Sequence, residues 1–334
     1  MNESAPPPQV AARDEPALPF FKRLRYYLEA AGFFTVIGFF KLFGLDRASA
    51  IGGWIGRTLV APTPMSRLAI ENLSAAYPEK SPAEIKAIVR AMWENLGRVL
   101  GEYAHLDRIH SIGPNARITM TGVEEIERAR ARGKGVIFVS AHFANWEIMP
   151  WIARDLDLTG GVIVRPANNP YVNRWLEKVR ARNGMAEQIP KGASGTRRVF
   201  ALLRKGECVL LLADQRASEG ILVPFFGRDA FTTPAPAALA LRLGAAVIPV
   251  SNTRLKGAHF AAHAYPAMEP PSTGDADRDL IEFTAAITQF IEARVRERPH
   301  EWLWIHKRWV RADAPLRKRA QAMSLRSDAK ISDD

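Results

Sequence analysis

Gly135-Val-Ile-Phe-Val-Ser-Ala-His-Phe-Ala-Asn-Trp-Glu147 is the stretch on which the fold turns. Its apolar run is the length of a strand rather than a helix, and it breaks at His142 into a segment that can start a helix near Asn145. A buried strand that switches to a helix is the repeating unit of an α/β sheet, where functional groups gather at the carboxyl ends of the strands.

On either side the same alternation continues. The pattern predicts strands at 117–121, 135–140, 161–164, 208–213, 246–252 and 258–264, and helices at 123–132, 145–155, 170–183, 194–205, 234–243 and 276–298. Upstream of 115 the chain reads as helical. Ser81-Pro-Ala-Glu84 combines an N-cap, a proline at the first helical position and a capping-box glutamate, and predicts a helix running to about His105. Ala61-Pro-Thr-Pro64 breaks the preceding helix, expected over 46–59. The divisions expected are a disordered leader at 1–19, membrane-associated helices at 20–60, a single mixed-sheet α/β domain flanked by helices at 61–312, and a flexible tail at 313–334.

The uncharged run Ala30–Phe40 is short of the ~20 apolar residues a spanning helix needs. Extended to 26–45 it takes in Glu29 and Lys41, and Lys22, Arg23 and Arg25 flank it, so a membrane-embedded or interfacial helix is expected, with a buried core helix as the alternative. The 46 Lys and Arg against 35 Asp and Glu leave a net charge of +11, which favours an anionic partner without choosing among lipid, nucleic acid, phosphorylated substrate and acidic carrier protein. The single cysteine, Cys208, excludes an intrachain disulfide and a thiolate metal cluster.

His142 and Glu147 are five residues apart, which on one continuous helix would set them about 140° apart in azimuth, so they meet only if His142 precedes the helix. A carboxylate beside an imidazole fixes its tautomer, which would make His142 a general base and Glu147 its orienting partner. On spacing alone, a capping or core histidine with a solvated glutamate is the better reading of a lone pair. Other chemistries have less support: no Gly-x-Ser-x-Gly elbow, dinucleotide fingerprint or P-loop is present, and the remaining histidines lack metal-ligand spacing, so no metal is expected.

The segment His142-Phe-Ala-Asn-Trp-Glu147 resembles the His-x-x-x-x-Asp/Glu motif of glycerolipid acyltransferases, in the form found in the lipid A lauroyl and myristoyl acyltransferase family. Val164-Arg-Pro-Ala-Asn-Asn-Pro170, Leu212-Ala-Asp-Gln215, Val223-Pro-Phe-Phe-Gly227 and Trp302-Leu-Trp-Ile-His-Lys-Arg-Trp309 are similar to further segments of that family in the same order, and the likeness spans about 20–312. It outweighs the bland reading of His142 and Glu147. It implies a late acyltransferase of lipid A assembly at the cytoplasmic face of the inner membrane. The expected donor is an acyl thioester, on acyl carrier protein or coenzyme A, and the acceptor a phosphorylated, Kdo-bearing lipid A precursor. No cofactor and no nucleic-acid partner are expected.

Substrate-binding positions follow from the same likeness, apart from Lys191, which is read from its local sequence. Arg165 and Asn168 after a strand, and Lys191 in a basic Gly-rich turn, suit a phosphate. Asp214 and Gln215 would shape the acceptor site, and Phe225 and Phe226 would line an acyl tunnel or else be ordinary core. Trp302, Trp304 and Trp309 suit either structure or a membrane interface. Two alternatives stand beside this reading: the same chemistry on a lysophospholipid, an ornithine lipid or a mannosylated lipid, and a non-enzymatic basic protein that binds membrane or nucleic acid.

Overall fold

The computed structural model describes residues 19–182 and 187–309. The expected leader, apart from Pro19, and the expected tail lie outside them. Four helices open the chain: α1 (Phe20–Lys41), α2 (Leu45–Ile55), α3 (Arg67–Ala76) and α4 (Pro82–Tyr103). The α/β part follows as β1 (Ile118–Thr121), α5 (Val123–Arg130), β2 (Val136–Ser140), α6 (Met149–Asp155), β3 (Gly160–Val164), α7 (Pro170–Arg182), β4 (Glu187–Pro190), α8 (Ala193–Arg204) and β5 (Cys208–Leu212). A hairpin of β6 (Ile221–Phe225) and β7 (Arg228–Thr232) then leads to α9 (Ala235–Leu243), β8 (Ala246–Arg254), β9 (Phe260–Ala264) and α10 (Ala276–Glu297).

The sheet is mixed, as expected, with order β1-β9-β8-β2-β5-β3-β4; its pairs are parallel except β8 with β9. Every residue of β2 is buried, because successive side chains enter two different cores. Ile137, Val139, Val209 and Leu211 pack with α3, α4, α8, α9 and α10. Val136, Phe138, Cys208 and Leu210 pack with α5 and α6 on the other face. This is the helix-covered sheet that continuous apolar strands require.

Ser81 and Glu84 form the capping box read from the sequence, and α4 runs from there to Tyr103. It lies unusually close to α2: a Cβ on Gly52 would stand 2.1 Å from the Gly97 carbonyl oxygen, and one on Gly101 2.2 Å from that of Ala48. Backbone contact at this range fixes α4 against α2, and α4 carries Asn95, Glu102 and Tyr103 toward the carboxyl end of β2.

The expected helix over 145–155 is divided into a 3₁₀ turn at Trp146–Ile148 and α6, with Pro150 near the start of the latter. No helix among the described residues is long and apolar enough to cross a membrane. Helix α1 instead buries Ala30, Ile37 and Phe40 and leaves Phe20, Phe21, Leu24 and Leu28 exposed.

Candidate active site

Strand register brings the central pair together. Parallel β2 and β5 are aligned with Ser140 opposite Leu212, and two residues further along each strand stand His142 and Asp214. The amide of Ala213 donates to the Ser140 carbonyl at 2.9 Å, so the pairing continues past the strand ends. The imidazole Nδ1 of His142 lies 2.9 Å from Asp214 Oδ1, and the His142 backbone N–H donates to Oδ2 at 3.0 Å. Trp302 Nε1 donates to the same Oδ2 at 2.8 Å. Asp214 is thus an acceptor surrounded by donors, and it presents its remaining capacity to Nδ1–H.

Burial alone would push the Asp214 carboxyl up; the charge and hydrogen bonds of His142, followed by the charge of His306, outweigh it and hold the group well below the usual carboxylate range. An ionised carboxylate on Nδ1 selects the tautomer that leaves Nε2 with a free lone pair. The amide of Gln215 stands 3.3 Å from Nε2 and can donate to it. The Trp146 ring meets the imidazole edge-on at 5.0 Å. Such a histidine can accept a proton from a hydroxyl at Nε2 and return it to a leaving group.

The expected partnership of His142 with Glu147 is corrected by this geometry. Glu147 accepts from Arg180 Nε at 2.9 Å, from Arg180 Nη2 at 2.5 Å and from the Tyr103 hydroxyl at 2.7 Å. Burial raises its carboxyl, but the Arg180 hydrogen bonds and charge, with Tyr103, prevail and leave it below its ordinary value. The reason is positional: the 3₁₀ turn carries Glu147 toward α4 and α7, whereas the in-register neighbour of His142 is on β5. Glu147 is a buried anchor for the loop that carries His142.

That loop has further anchors. Ala144 sits at a φ of 42°, a region costly for a residue with a side chain, and its carbonyl accepts from Asn95 at 3.0 Å while its N–H donates to the Glu301 carbonyl at 2.9 Å. Asn145 accepts the Glu147 N–H through Oδ1, donates to Glu102 at 2.8 Å and offers its carbonyl to Asn252 at 2.8 Å. Glu102 is fully buried and paired with Arg254, which also holds Asn95 at 2.9 Å. Breaking one partner out of a buried network of this kind costs about 3–5 kcal/mol.

His142 opens onto a cavity of about 240 Å³ that Glu147, Arg165, Arg180, Lys191 and Gln215 also line. Arg180 is engaged by Glu147, which leaves Arg165 and Lys191 as the lining cations suited to an anionic ligand. Of the other expected substrate contacts, Asn168 accepts a hydrogen bond from Arg165 at 3.2 Å but does not line this cavity. Phe225 and Phe226 are core, not tunnel: Phe225 packs between Trp302 and Trp309, and Phe226 against Tyr77 and Trp304. The aromatic C-terminal segment is likewise interior, with Trp302 and Trp304 essentially inaccessible.

Tyr103, Arg180, Trp302 and His306 lie at the site although none of them was expected there. His306 lies 5.7 Å from the His142 ring, centroid to centroid, and burial outweighs the opposing charge of Asp214 and drives its pKa down to about 4, so it stands neutral at physiological pH. His142, Asp214 and His306 each bring a ligand atom within 4.8 Å of the others, a set able to take a metal ion; the hydrogen bonds of Asp214 already account for the convergence of the first two. The motif spelling His-Lys-Arg-Trp was the available signal for His306, and the invisible step was the sharp turn that brings it beside β5.

Comparison with known proteins places the chain among acyltransferases. The chain is 25% identical over 250 residues to the lipid A biosynthesis palmitoleoyltransferase of Escherichia coli, covering 72% of this chain and 78% of that one. It is 26% identical over 258 residues to the lipid A biosynthesis lauroyltransferase of the same organism, covering 73% and 78%. It is also 24% identical over 262 residues to a phosphatidylinositol mannoside acyltransferase of Mycobacterium tuberculosis, covering 76% and 80%. With the model of the bacterial lipid A biosynthesis acyltransferases matching residues 18–311, the chain belongs to that family and is an acyltransferase.

Proposed function

We propose that this enzyme moves a fatty acyl chain from an acyl thioester, carried by acyl carrier protein or coenzyme A, to a hydroxyl of a phosphorylated, Kdo-bearing lipid A precursor at the cytoplasmic face of the inner membrane. The observation that carries the reading is the oriented imidazole of His142, held on Nδ1 by Asp214 and turned toward a cavity whose wall bears Arg165, Arg180 and Lys191.

The acceptor hydroxyl gives its proton to His142 Nε2 as its oxygen attacks the thioester carbonyl. The imidazolium, stabilised by Asp214, then returns that proton to the departing sulfur, so an ester and a free thiol are the products. No acyl-enzyme and no cofactor are required. Arg165 and Lys191 bind the acceptor's phosphate, and Glu147 with Arg180 keeps the His142 loop in place.

The exposed apolar side chains of α1, together with Trp54 and Leu59, support an interfacial mode of membrane binding. A mannosylated lipid is the second acceptor to consider, because the mycobacterial relative matches over as much of the chain as the Escherichia coli ones. The deciding experiment presents purified lipid A precursor, phosphatidylinositol mannoside and lysophospholipid side by side with one acyl thioester. Acyl transfer to the lipid A precursor by the intact chain, and its loss by about 100- to 10,000-fold in a folded His142→Ala variant, is the expected result. Unchanged turnover in that variant would remove the mechanism, and preference for another acceptor would reassign the substrate.

A further inference from the structure

A second cavity lies behind the candidate site, between the sheet and α6. Its walls are apolar, Met120, Phe138, Met149, Ala153, Leu158 and Leu210 among them, and only the half-buried His263 brings a polar side chain, its Nδ1 engaged by the Thr121 hydroxyl at 2.6 Å. Its volume is about 30 Å³. A void of this character offers water almost no hydrogen-bond partner, so a hydrocarbon fits it better than solvent does.

Two features tie this chamber to the site. Leu210 of β5 is a wall of both cavities. At the start of α6 the neighbouring residues Met149 and Pro150 face one cavity each, Met149 the inner and Pro150 the outer. Val162, Leu210 and Leu212 line the outer cavity together with His142, and of these Leu210 also bounds the inner chamber. Met120 and Met149 are unbranched, with several low-energy rotamers, and can yield to a chain end without moving the backbone.

We propose that the methyl end of the transferred acyl chain passes Leu210 into this chamber, and that Met149 and Ala153 on α6 set the chain length the enzyme accepts. The inference rests on the acyl-transfer reading above and adds to it the location of the chain terminus. Chain length is selected because the thioester carbonyl is fixed at His142 while the chamber is small and lined by packed apolar side chains: a chain too long must displace them, and one too short leaves the void unfilled.

The test uses the full-length protein in detergent and two variants of opposite sense, Ala153→Met to fill the chamber and Met149→Ala to enlarge it. Displacement of a fluorescent fatty acid by saturated acids from decanoate to stearate gives a length preference that does not depend on turnover. The same series as acyl thioesters, read by product mass, gives the preference in catalysis. Ala153→Met is expected to move both preferences to shorter chains and to weaken the longest bound acid by about tenfold, and Met149→Ala to move them to longer chains.

Ala262→Leu, on β9 at another wall of the chamber, repeats the filling from a different element if Ala153→Met does not fold. Wild-type length order in folded variants of both senses, or no length-dependent binding in the unaltered protein, would overturn the proposal. A wild-type enzyme that acylates no lipid hydroxyl would instead remove the acyl-transfer reading, and the binding series would still decide the chamber.

Discussion

Replacement of Asp214 by Asn separates the observed orientation of His142 from the one its neighbouring motif residue suggests. The side chain is fully buried, touches no solvent-facing part of the cavity, and differs from Asn by one atom. Oδ2 accepts from the His142 backbone N–H and from Trp302, so an Asn keeps its oxygen there and turns its NH₂ toward Nδ1. Nδ1 must then become the acceptor, the ring proton moves to Nε2, and the lone pair needed for proton abstraction is lost. The opposite amide orientation restores the tautomer but leaves two buried donors facing an NH₂.

The magnitude follows from those alternatives. The lost charge-assisted bond is worth about 1.5–3 kcal/mol, and the unsatisfied donors or wrong tautomer about 1–3 kcal/mol more. Their sum, roughly 3–6 kcal/mol, is about two to four orders of magnitude in kcat. Release of free thiol from an acyl thioester, measured chromogenically with the lipid acceptor at saturation, reports kcat directly. KM for both substrates should change little, since Asp214 meets neither. A folded Asp214→Asn enzyme with kcat within about fivefold of the original would refute the assignment of Asp214 as the residue that positions His142.

Glu147→Gln breaks the pair with Arg180 and leaves that guanidinium half-satisfied, so it should lower the free energy of unfolding by about 3–5 kcal/mol, visible as a reduced urea midpoint. An unchanged midpoint would show that Glu147 does not anchor the loop. His306 is held neutral down to about pH 4 in the folded chain against an ordinary value of 6.5, so the unfolded chain takes up the proton first as pH falls. Stability should therefore drop by roughly 3 kcal/mol as pH falls from 6.5 to 4 and then level off for this group, and His306→Asn should show a correspondingly shallower loss in urea unfolding over that window. Equal slopes for the two proteins would mean that His306 protonates as readily folded as unfolded.

The α/β alternation and the strand that delivers His142 were legible because apolar runs of strand length, bounded by polar turns, have few other solutions. Strand order was not legible. His142 and Asp214 are 72 residues apart in the chain and meet because β5 pairs with β2, a tertiary choice that no local pattern encodes. Proximity in sequence therefore suggested Glu147 for the place beside His142 Nδ1 that Asp214 occupies. The same limit explains Phe225 and Phe226, whose composition suits a tunnel equally well until the hairpin β6–β7 and the Trp302–Trp309 segment are seen to close over them. The hairpin went unread because Pro224 interrupts the pattern of β6.

One consequence of the packing joins the proposed membrane surface to the catalytic loop. Helix α7 contributes no fully buried residue, so its seat depends on α1: Tyr171 stacks on Tyr27 at 4.6 Å, Trp175 meets Phe33 at 5.3 Å, and Asn169, just before α7, donates to the Tyr26 carbonyl at 2.8 Å. The far end of α7 supplies Arg180 to Glu147, and Trp175 lies 6.5 Å from Tyr103, the other partner of that carboxylate. The helix proposed to lie in the lipid surface thus supports the helix that supports the turn after His142. If α1 lies in the lipid surface as proposed, its contacts with α7 would couple membrane binding to the turn after His142 through the Arg180–Glu147 pair.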